Sequence, residues 1–115
     1  MKNSLLILCI VFTIFLFDKK IVSANELVFN TPEIKVLNNG NNVITKDGTV
    51  TTADKKIRLD AKSFGYDKTT SILEATNGTV LLTEKNIEII ANKLVYNRNL
   101  STIIATGDVQ IKDLS

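Results

Sequence analysis

The chain repeats itself with a period of 30 residues, and this repeat limits the possible folds more than any other feature. A unit this short buries its apolar side chains only by packing against its own neighbours, so the copies are expected to stack into one structure. Three copies follow one another, the third being one residue shorter, so that Gly48 and Gly78 align with Gly107. The aligned apolar sets are Leu27, Ile57 and Ile87; Phe29, Leu59 and Ile89; Ile34, Phe64 and Leu94; Val36, Tyr66 and Tyr96; and Val43, Leu73 and Ile103.

Apolar and polar residues alternate within each copy. Ile57, Leu59 and Ala61, for example, are separated by Arg58 and Asp60. A period of two puts the two kinds of side chain on opposite faces of a strand, as in half-buried antiparallel sheets. The distance to the next apolar residue is three positions after Ala61 and after Ala91. In a straight strand, this would move the following apolar side chains to the other face. We therefore predict corners in the strands at Lys62-Ser63 and Asn92-Lys93.

Turn-forming residues separate the alternating runs. Asn, Asp, Gly and Ser are concentrated at 38–42, 67–71, 83–86 and 97–99, and they tolerate the backbone angles that hairpins need. The three aligned glycines are also assigned to turns, and Pro32, the only proline, to an edge strand. No segment shows a sustained period of 3.6 residues. We predict an all-β domain of short antiparallel strands, one about every eight to twelve residues.

The first 24 residues differ from the repeats. An apolar run from Leu5 to Phe17 precedes Val22-Ser23-Ala24, which fits the preference of signal peptidases for small residues. The run is shorter than the roughly 20 residues that a membrane-spanning helix needs. We predict a signal peptide at 1–24, with an uncleaved N-terminal anchor as the alternative, and one domain at 25–115.

The composition of residues 25–115 excludes most catalytic chemistry. The sequence has no histidine, and its single cysteine, Cys9, lies in the predicted leader. Most nucleophile–base pairs and transition-metal sites are therefore ruled out, and neither a cofactor nor a metal is predicted. Without the leader, 11 basic and 11 acidic residues balance, which argues against nucleic acid as a partner. The carboxylates fall at polar positions or in turns (Asp60, Asp67, Glu74 and Glu84), so we interpret them as surface charges.

The second and third copies, "IRLDAKSFGYDKTTSILEATNGTVLL" and "IEIIANKLVYNRNLSTIIATGDVQI", resemble the repeat of the OstA-like lipopolysaccharide-transport family. The resemblance covers nearly all of 26–113. It departs from the family pattern at Asn92, where an Asp is frequent, and at the extra residue in Asn77-Gly78-Thr79-Val80. The positions that carry the resemblance are Ala61, Tyr66, Ala75, Gly78 and Val80, with Ala91, Tyr96, Ala105, Gly107 and Val109.

The resemblance implies an open, V-shaped β-jelly roll in the periplasm, associated with the outer membrane if the domain belongs to a translocon. Its apolar interior would shield the acyl chains of lipopolysaccharide, and like domains would pair through their edge strands into a bridge. Two placements are open, the family's soluble bridge protein LptA and the N-terminal periplasmic domain of LptD. The implied lipid-facing residues are Phe29, Ile34, Leu59, Phe64, Tyr66, Ile89, Leu94, Tyr96, Ile103, Val109 and Ile111.

A second interpretation needs no lipid. The apolar face would be an ordinary closed core, and the protein would be an exported structural β-repeat domain that binds carbohydrate or protein through its polar faces or loops. An enzyme using Asp60 or Glu74 is a third and weaker interpretation. Because a complete strand pattern reaches the last residues, "GDVQIKDLS", we expect either that the chain continues beyond Ser115 or that another copy completes the sheet.

Overall fold

The computed structural model describes residues 26–115, so the predicted signal peptide at 1–24 lies outside the described residues. The prediction of an all-β fold is confirmed: eight strands and one short 3-10 turn, Asn38–Gly40, make up the described part. Within residues 26–115 no helix has the length and apolarity to cross a membrane. The strands are β1 Leu27–Asn30, β2 Glu33–Leu37, β3 Asn42–Thr52, β4 Ile57–Asp67, β5 Ile72–Leu82, β6 Ile87–Asn97, β7 Thr102–Thr106 and β8 Gln110–Asp113.

All strands belong to one open antiparallel sheet. β3, β4, β5 and β6 are neighbours in chain order and form its centre, each with 11 residues. β1 and β2 both pair with β3 at one edge, and β7 and β8 both pair with β6 at the other. Since the two edges do not pair with each other, the sheet is not closed into a barrel.

A corner crosses the middle of the sheet, as the change in spacing predicts. The pairing of β4 with β5 runs on both sides of Lys62 and Asn77 but omits these two residues, and the pairing of β5 with β6 likewise omits Asn77 and Asn92. The predicted corners are confirmed at Lys62 and Asn92. The strand pairing resumes at the next residues, Ser63 and Lys93, which both pair with Thr76. The corner divides each central strand into two halves.

The two halves of the sheet form two limbs. The β2–β7 limb contains β2, residues 42–46, 63–67, 72–76 and 93–97, and β7. The β1–β8 limb contains β1, residues 48–52, 57–61, 78–82 and 87–90, and β8. A repeat thus corresponds to one hairpin that passes through both limbs.

Outer strands are interrupted where the sequence breaks the repeat. The first strand of the first copy is divided into β1 and β2 around Pro32, which has no N–H to donate to a ladder. The second strand of the third copy is divided into β7 and β8 around Gly107, where that copy is one residue short. Pro32 is predicted in an edge strand; it lies at the edge of the sheet, but in the bend between β1 and β2 and not within a strand.

The assignment of glycines to turns is wrong for Gly48 and Gly78, which lie within β3 and β5 at the corner. They are required there because the neighbouring strand comes very close. A Cβ on Gly78 would lie 2.5 Å from the carbonyl oxygen of Asp60 and 2.7 Å from the Cβ of Ala61. Gly107 lies between β7 and β8 with a φ of +85°, a value that side chains strongly disfavour.

The core lies between the two limbs. Leu59 and Val80 of the β1–β8 limb and Leu73 and Leu94 of the β2–β7 limb have no exposed surface, and they belong to one hydrophobic cluster. The rings of Phe29 and Tyr66 also meet across the limbs, with centroids 6.0 Å apart. We call the side of the sheet that faces this cluster the inner face.

Candidate functional site

The candidate site is the inner face, and its residues lie in rows that cross the sheet. Side chains of paired residues in adjacent strands point to the same face, so the register identifies each row. One row lies in the β1–β8 limb and two lie in the β2–β7 limb. The rows are Phe29, Val50, Leu59, Val80, Ile89 and Ile111; Ile34, Thr45, Phe64, Ala75, Leu94 and Ala105; and Val36, Val43, Tyr66, Leu73, Tyr96 and Ile103.

Ten of the eleven residues that the resemblance implies as lipid-facing occur in these three rows. The exception is Val109, which lies between β7 and β8 and has no strand partner there. Their exposure differs widely. Leu59, Phe64, Tyr66, Leu94 and Tyr96 are buried, Phe29, Ile89 and Ile103 are half-buried, and Ile34, Val109 and Ile111 are exposed.

Exposure within the rows follows strand order. Most inner-face side chains on β3, β4, β5 and β6 are buried, whereas those on the edge strands β1, β2, β7 and β8 are half-buried or exposed. Ile34 and Val36 on β2 are 47% and 57% exposed, and Ile111 on β8 is 68% exposed. The interior is thus filled in the centre and accessible from both ends.

The rows also contain eight residues that the sequence prediction did not include, and Val36 and Thr45 are two of them. Val36 is exposed at the β2 end, and its alignment with Tyr66 and Tyr96 in the repeat could have identified it. Thr45 is only 1% exposed, and its hydroxyl has no hydrogen-bond partner among the described residues.

Polar groups border the interior at the tip of the β2–β7 limb. Tyr66 and Tyr96 are next to the C-terminal residues of β4 and β6, and Arg98 Nη1 donates a hydrogen bond of 2.6 Å to Tyr66 Oη. Burial raises the pKa of the Tyr96 phenol, and the negative charge of Asp54 adds to this, while the positive charge of Arg98 acts in the opposite direction.

The carboxylates that an enzyme would require lie elsewhere. Asp60 is 3.3 Å from Arg58 and Glu74 is 3.3 Å from Lys93, and all four side chains are about half exposed. Both acids alternate with inner-face residues and therefore lie on the outer face. Among residues 26–115 no group of three or more acidic, cysteine or histidine side chains is arranged to hold a metal ion.

Solved structures include chains with a similar fold. No protein-family model and no curated protein matches the chain. The fold is similar to the crystal structure of LptH from Pseudomonas aeruginosa, described as the LptA-homologous periplasmic component of the lipopolysaccharide transport device. The TM-score is 0.43 and the sequence identity 8%, over 78% of this chain and 98% of LptH.

Proposed function

We propose that residues 25–115 form a periplasmic, non-enzymatic domain that shields the acyl chains of lipopolysaccharide between its two limbs. Adjacent domains of the same kind would pair through their edge strands and pass the lipid on towards the outer membrane. The observation that carries the proposal is the apolar inner face, which remains open at both edges of the sheet. The resemblance of the repeats to the OstA-like pattern supports it.

The energetics of lipid transfer explain why such an interior is needed. Each CH₂ group exposed to water costs about 0.8 kcal/mol, so a twelve-carbon chain costs roughly 9 kcal/mol when it leaves a membrane. The apolar side chains of Ile34, Val36 and Ile111 are exposed to water in the free protein, which is itself unfavourable. Acyl chains that cover these residues reduce the exposed apolar area of both partners.

Free sheet edges support the assembly part of the proposal. Within residues 26–115, β7 pairs only with β6, and β2 pairs only with β3, so one side of each strand retains unpaired backbone N–H and C=O groups. Such edges accept a strand from another chain. A strand added to β7 would also continue the inner rows, so the interiors of two domains would become continuous.

A second candidate function is favoured by the filled centre of the interior. Leu59, Leu73, Val80 and Leu94 have no exposed surface, as expected for a structural domain with a closed core. In the lipid-transport proposal the acyl chains first occupy the open ends, and the limbs separate to admit them further. In the structural-domain proposal the limbs stay together and the interior takes up no lipid.

Two isoleucines at the same edge of the sheet provide a test. Ile111 on β8 is 68% exposed on the inner face, and Ile104 on β7 is 61% exposed on the outer face, in the row of Val95 and Glu74. A photo-crosslinking amino acid at either position samples a similarly accessible surface. We expect a crosslinker at position 111 to capture lipopolysaccharide and one at position 104 to capture little.

The outcome distinguishes the two candidate functions. Capture at position 111 alone supports binding by the inner face. Equal capture at both positions would indicate non-specific adhesion to apolar surface. Absence of capture at both, in protein shown by circular dichroism to be folded, would contradict the lipid-transport proposal and favour the structural domain.

A further inference from the structure

Two Asn-Gly pairs, Asn39-Gly40 and Asn77-Gly78, occur in residues 26–115, and neither lies in an inner row. In such a pair, the backbone nitrogen of the glycine can attack the side-chain amide carbon of the asparagine. Glycine favours this attack, because it has no Cβ to hinder the approach. The chemistry of the two pairs is the same, so any difference in their reactivity has to come from their surroundings in the fold.

The reaction needs only water. The bond from the glycine nitrogen to Cγ of the asparagine forms, the bond from Cγ to Nδ2 breaks, and ammonia leaves with the proton of the glycine amide. Water then opens the resulting cyclic imide at either of its two carbonyl groups. Opening at one carbonyl produces aspartate, and opening at the other produces isoaspartate, whose backbone runs through the side-chain carbon and is longer by one CH₂ group. Both products carry a new carboxylate.

Gly78 is held on both sides by the sheet. It pairs with Ala61 of β4 and with Ala91 of β6. β4 also comes so close that a Cβ on Gly78 would lie 2.5 Å from the carbonyl oxygen of Asp60. Ring closure rotates the peptide group between the asparagine and the glycine, and this rotation would pull Gly78 away from both neighbouring strands. Asn77 is exposed to water, yet the nitrogen that would attack it is fixed.

Gly40 has different surroundings. It ends the 3-10 turn Asn38–Gly40, which links β2 to β3 and has only three residues. Nothing lies within 4 Å of the place where a Cβ on Gly40 would be, and Asn39 is exposed. A single 3-10 turn has poor hydrogen-bond geometry and opens without disturbing the strands beside it. The peptide group between Asn39 and Gly40 therefore rotates much more easily than the one before Gly78.

The third copy of the repeat provides a comparison of another kind. Asn99 has the position that corresponds to Asn39, in the turn between β6 and β7, and it is also exposed. It is followed by Leu100, whose side chain hinders an attack by its own backbone nitrogen. Asn99 thus has a hindered partner, whereas Asn77 has an unhindered partner that is fixed. Of these three asparagines, only Asn39 has a partner that is both unhindered and free to move.

We propose that Asn39-Gly40 is a site of spontaneous deamidation in the folded protein, and that the corner protects Asn77-Gly78. The modification also acts on the sheet. β2 pairs with β3 alone within residues 26–115, and the register of a hairpin depends on the length of its turn. An isoaspartate at position 39 lengthens the backbone of this turn. It therefore weakens the pairing of β2, which carries Ile34 and Val36 of the inner face.

Peptide mapping of the full chain by mass spectrometry tests the site. The protein is incubated in mildly alkaline buffer, which favours the deprotonated, attacking form of the amide nitrogen, and deamidation is followed at Asn39, Asn77 and Asn99. In the folded protein we expect Asn39 to react at least about tenfold faster than either of the others. In urea, Asn77 should become nearly as fast as Asn39, because unfolding removes the sheet around Gly78. Asn99 should stay slow in urea, because Leu100 still follows it.

Hydrogen exchange measures the effect of the modification on β2. In the incubated protein we expect the amides of β2 to exchange severalfold faster than in fresh protein, while those of β4 and β5 keep their rates. Asn39→Asp adds the charge without lengthening the backbone, so before incubation it should exchange like the fresh parent. Asn39→Gly accepts the positive φ of 56° at this position and cannot deamidate, so its exchange should not change on incubation.

Four results would overturn parts of the proposal. Equal rates at Asn39 and Asn77 in the folded protein would contradict protection by the corner. Reaction at Asn39 only after unfolding would contradict the site itself. Equal rates at Asn39 and Asn99 in urea would contradict the role given to the glycine. Unchanged exchange of β2 in a deamidated sample would contradict the effect on the hairpin. Lipid binding enters none of these measurements, so they test the site independently of the proposed function.

Discussion

Three aspartates, Asp54, Asp67 and Asp113, accept hydrogen bonds from the chain just beyond them in the same way. Each accepts a hydrogen bond from the backbone N–H two residues further along the chain, at 3.0, 2.9 and 3.0 Å. Each also accepts a bond from a nearby hydroxyl, those of Thr52, Thr69 and Ser115. Because donors to a carboxylate favour its charged form, the pKa of all three groups lies below the ordinary value of 3.8.

Asp67 allows a prediction of how stability depends on pH. The hydroxyl and the amide of Thr69 lower its pKa in the folded state, so the unfolded chain binds the proton more tightly. The stabilisation is therefore present above the ordinary carboxyl pKa and is lost as the pH falls through the folded-state value. We expect Asp67→Asn to weaken this acid dependence, measured as the urea midpoint at neutral pH and at about pH 3.

Thr69→Ala is the complementary variant for the same turn. It removes the hydroxyl donor but keeps the titrating group, so the pKa of Asp67 should rise towards its ordinary value. An NMR titration of the Asp67 carboxyl carbon measures this directly. An unchanged pKa in Thr69→Ala would show that the hydroxyl does not stabilise the carboxylate.

At the scale of the strand, the corner depends on Gly48 and Gly78, which are crowded by a neighbouring strand. Gly65 is not crowded. Gly78 has no room for a side chain, because its Cβ would lie 2.5 Å from a backbone oxygen of β4. Gly65 also lies in β4, but nothing is found within 4 Å of the place where its Cβ would be. The same substitution should therefore have opposite effects at these two positions.

Replacing each glycine by alanine tests this difference. Gly78→Ala should force β4 and β5 apart at the corner and cost about 1–3 kcal/mol, the usual range for overpacking. Gly65→Ala should be neutral or stabilise the protein by up to about 1 kcal/mol, because it restricts the unfolded chain. Urea unfolding of both variants measures the difference. Similar destabilisation by the two substitutions would contradict the close approach at Gly78.

The strands and the corner were predictable because both produce a local signal. Alternation identifies the strands, and the spacing of three between Ala61 and Phe64 identifies the corner. The close approach at Gly48 and Gly78 was not predictable, because it depends on the distance between two strands and not on the chain around the glycine.

The limits at the candidate site have the same physical origin. Ten of the eleven candidates lie on one face of the sheet, since alternation determines facing. Alternation gave no information on which of them the second limb covers. Leu59 and Ile111 occupy the same inner row, but one has no exposed surface and the other is 68% exposed, because only strand order separates the centre of the sheet from its edge.

For the molecule as a whole, the two edges of the sheet differ in how well they are protected. Pro32 and the charged Glu33 and Lys35 lie along the β1–β2 edge, and such residues discourage pairing with another chain. β7 has the sequence TIIAT, without charge or proline. The edge of β7 that faces away from β6 has no strand partner within residues 26–115. The β7 edge is therefore the better acceptor for an added strand.

Two lysine substitutions on β7 test whether this edge associates. Ala105 lies in the inner row beside Leu94 and Ile104 points to the outer face, so Ala105→Lys places a charge where an incoming domain would continue the apolar interior. We expect the parent chain to associate as its concentration rises, Ala105→Lys to remain monomeric, and Ile104→Lys to associate nearly as the parent does. Sedimentation velocity measures the mass distribution, and thermal unfolding shows that both variants are folded. If Ala105→Lys associated as strongly as the parent, pairing at β7 would be wrong, because an inward charge at a joined edge would lose its water without gaining a partner.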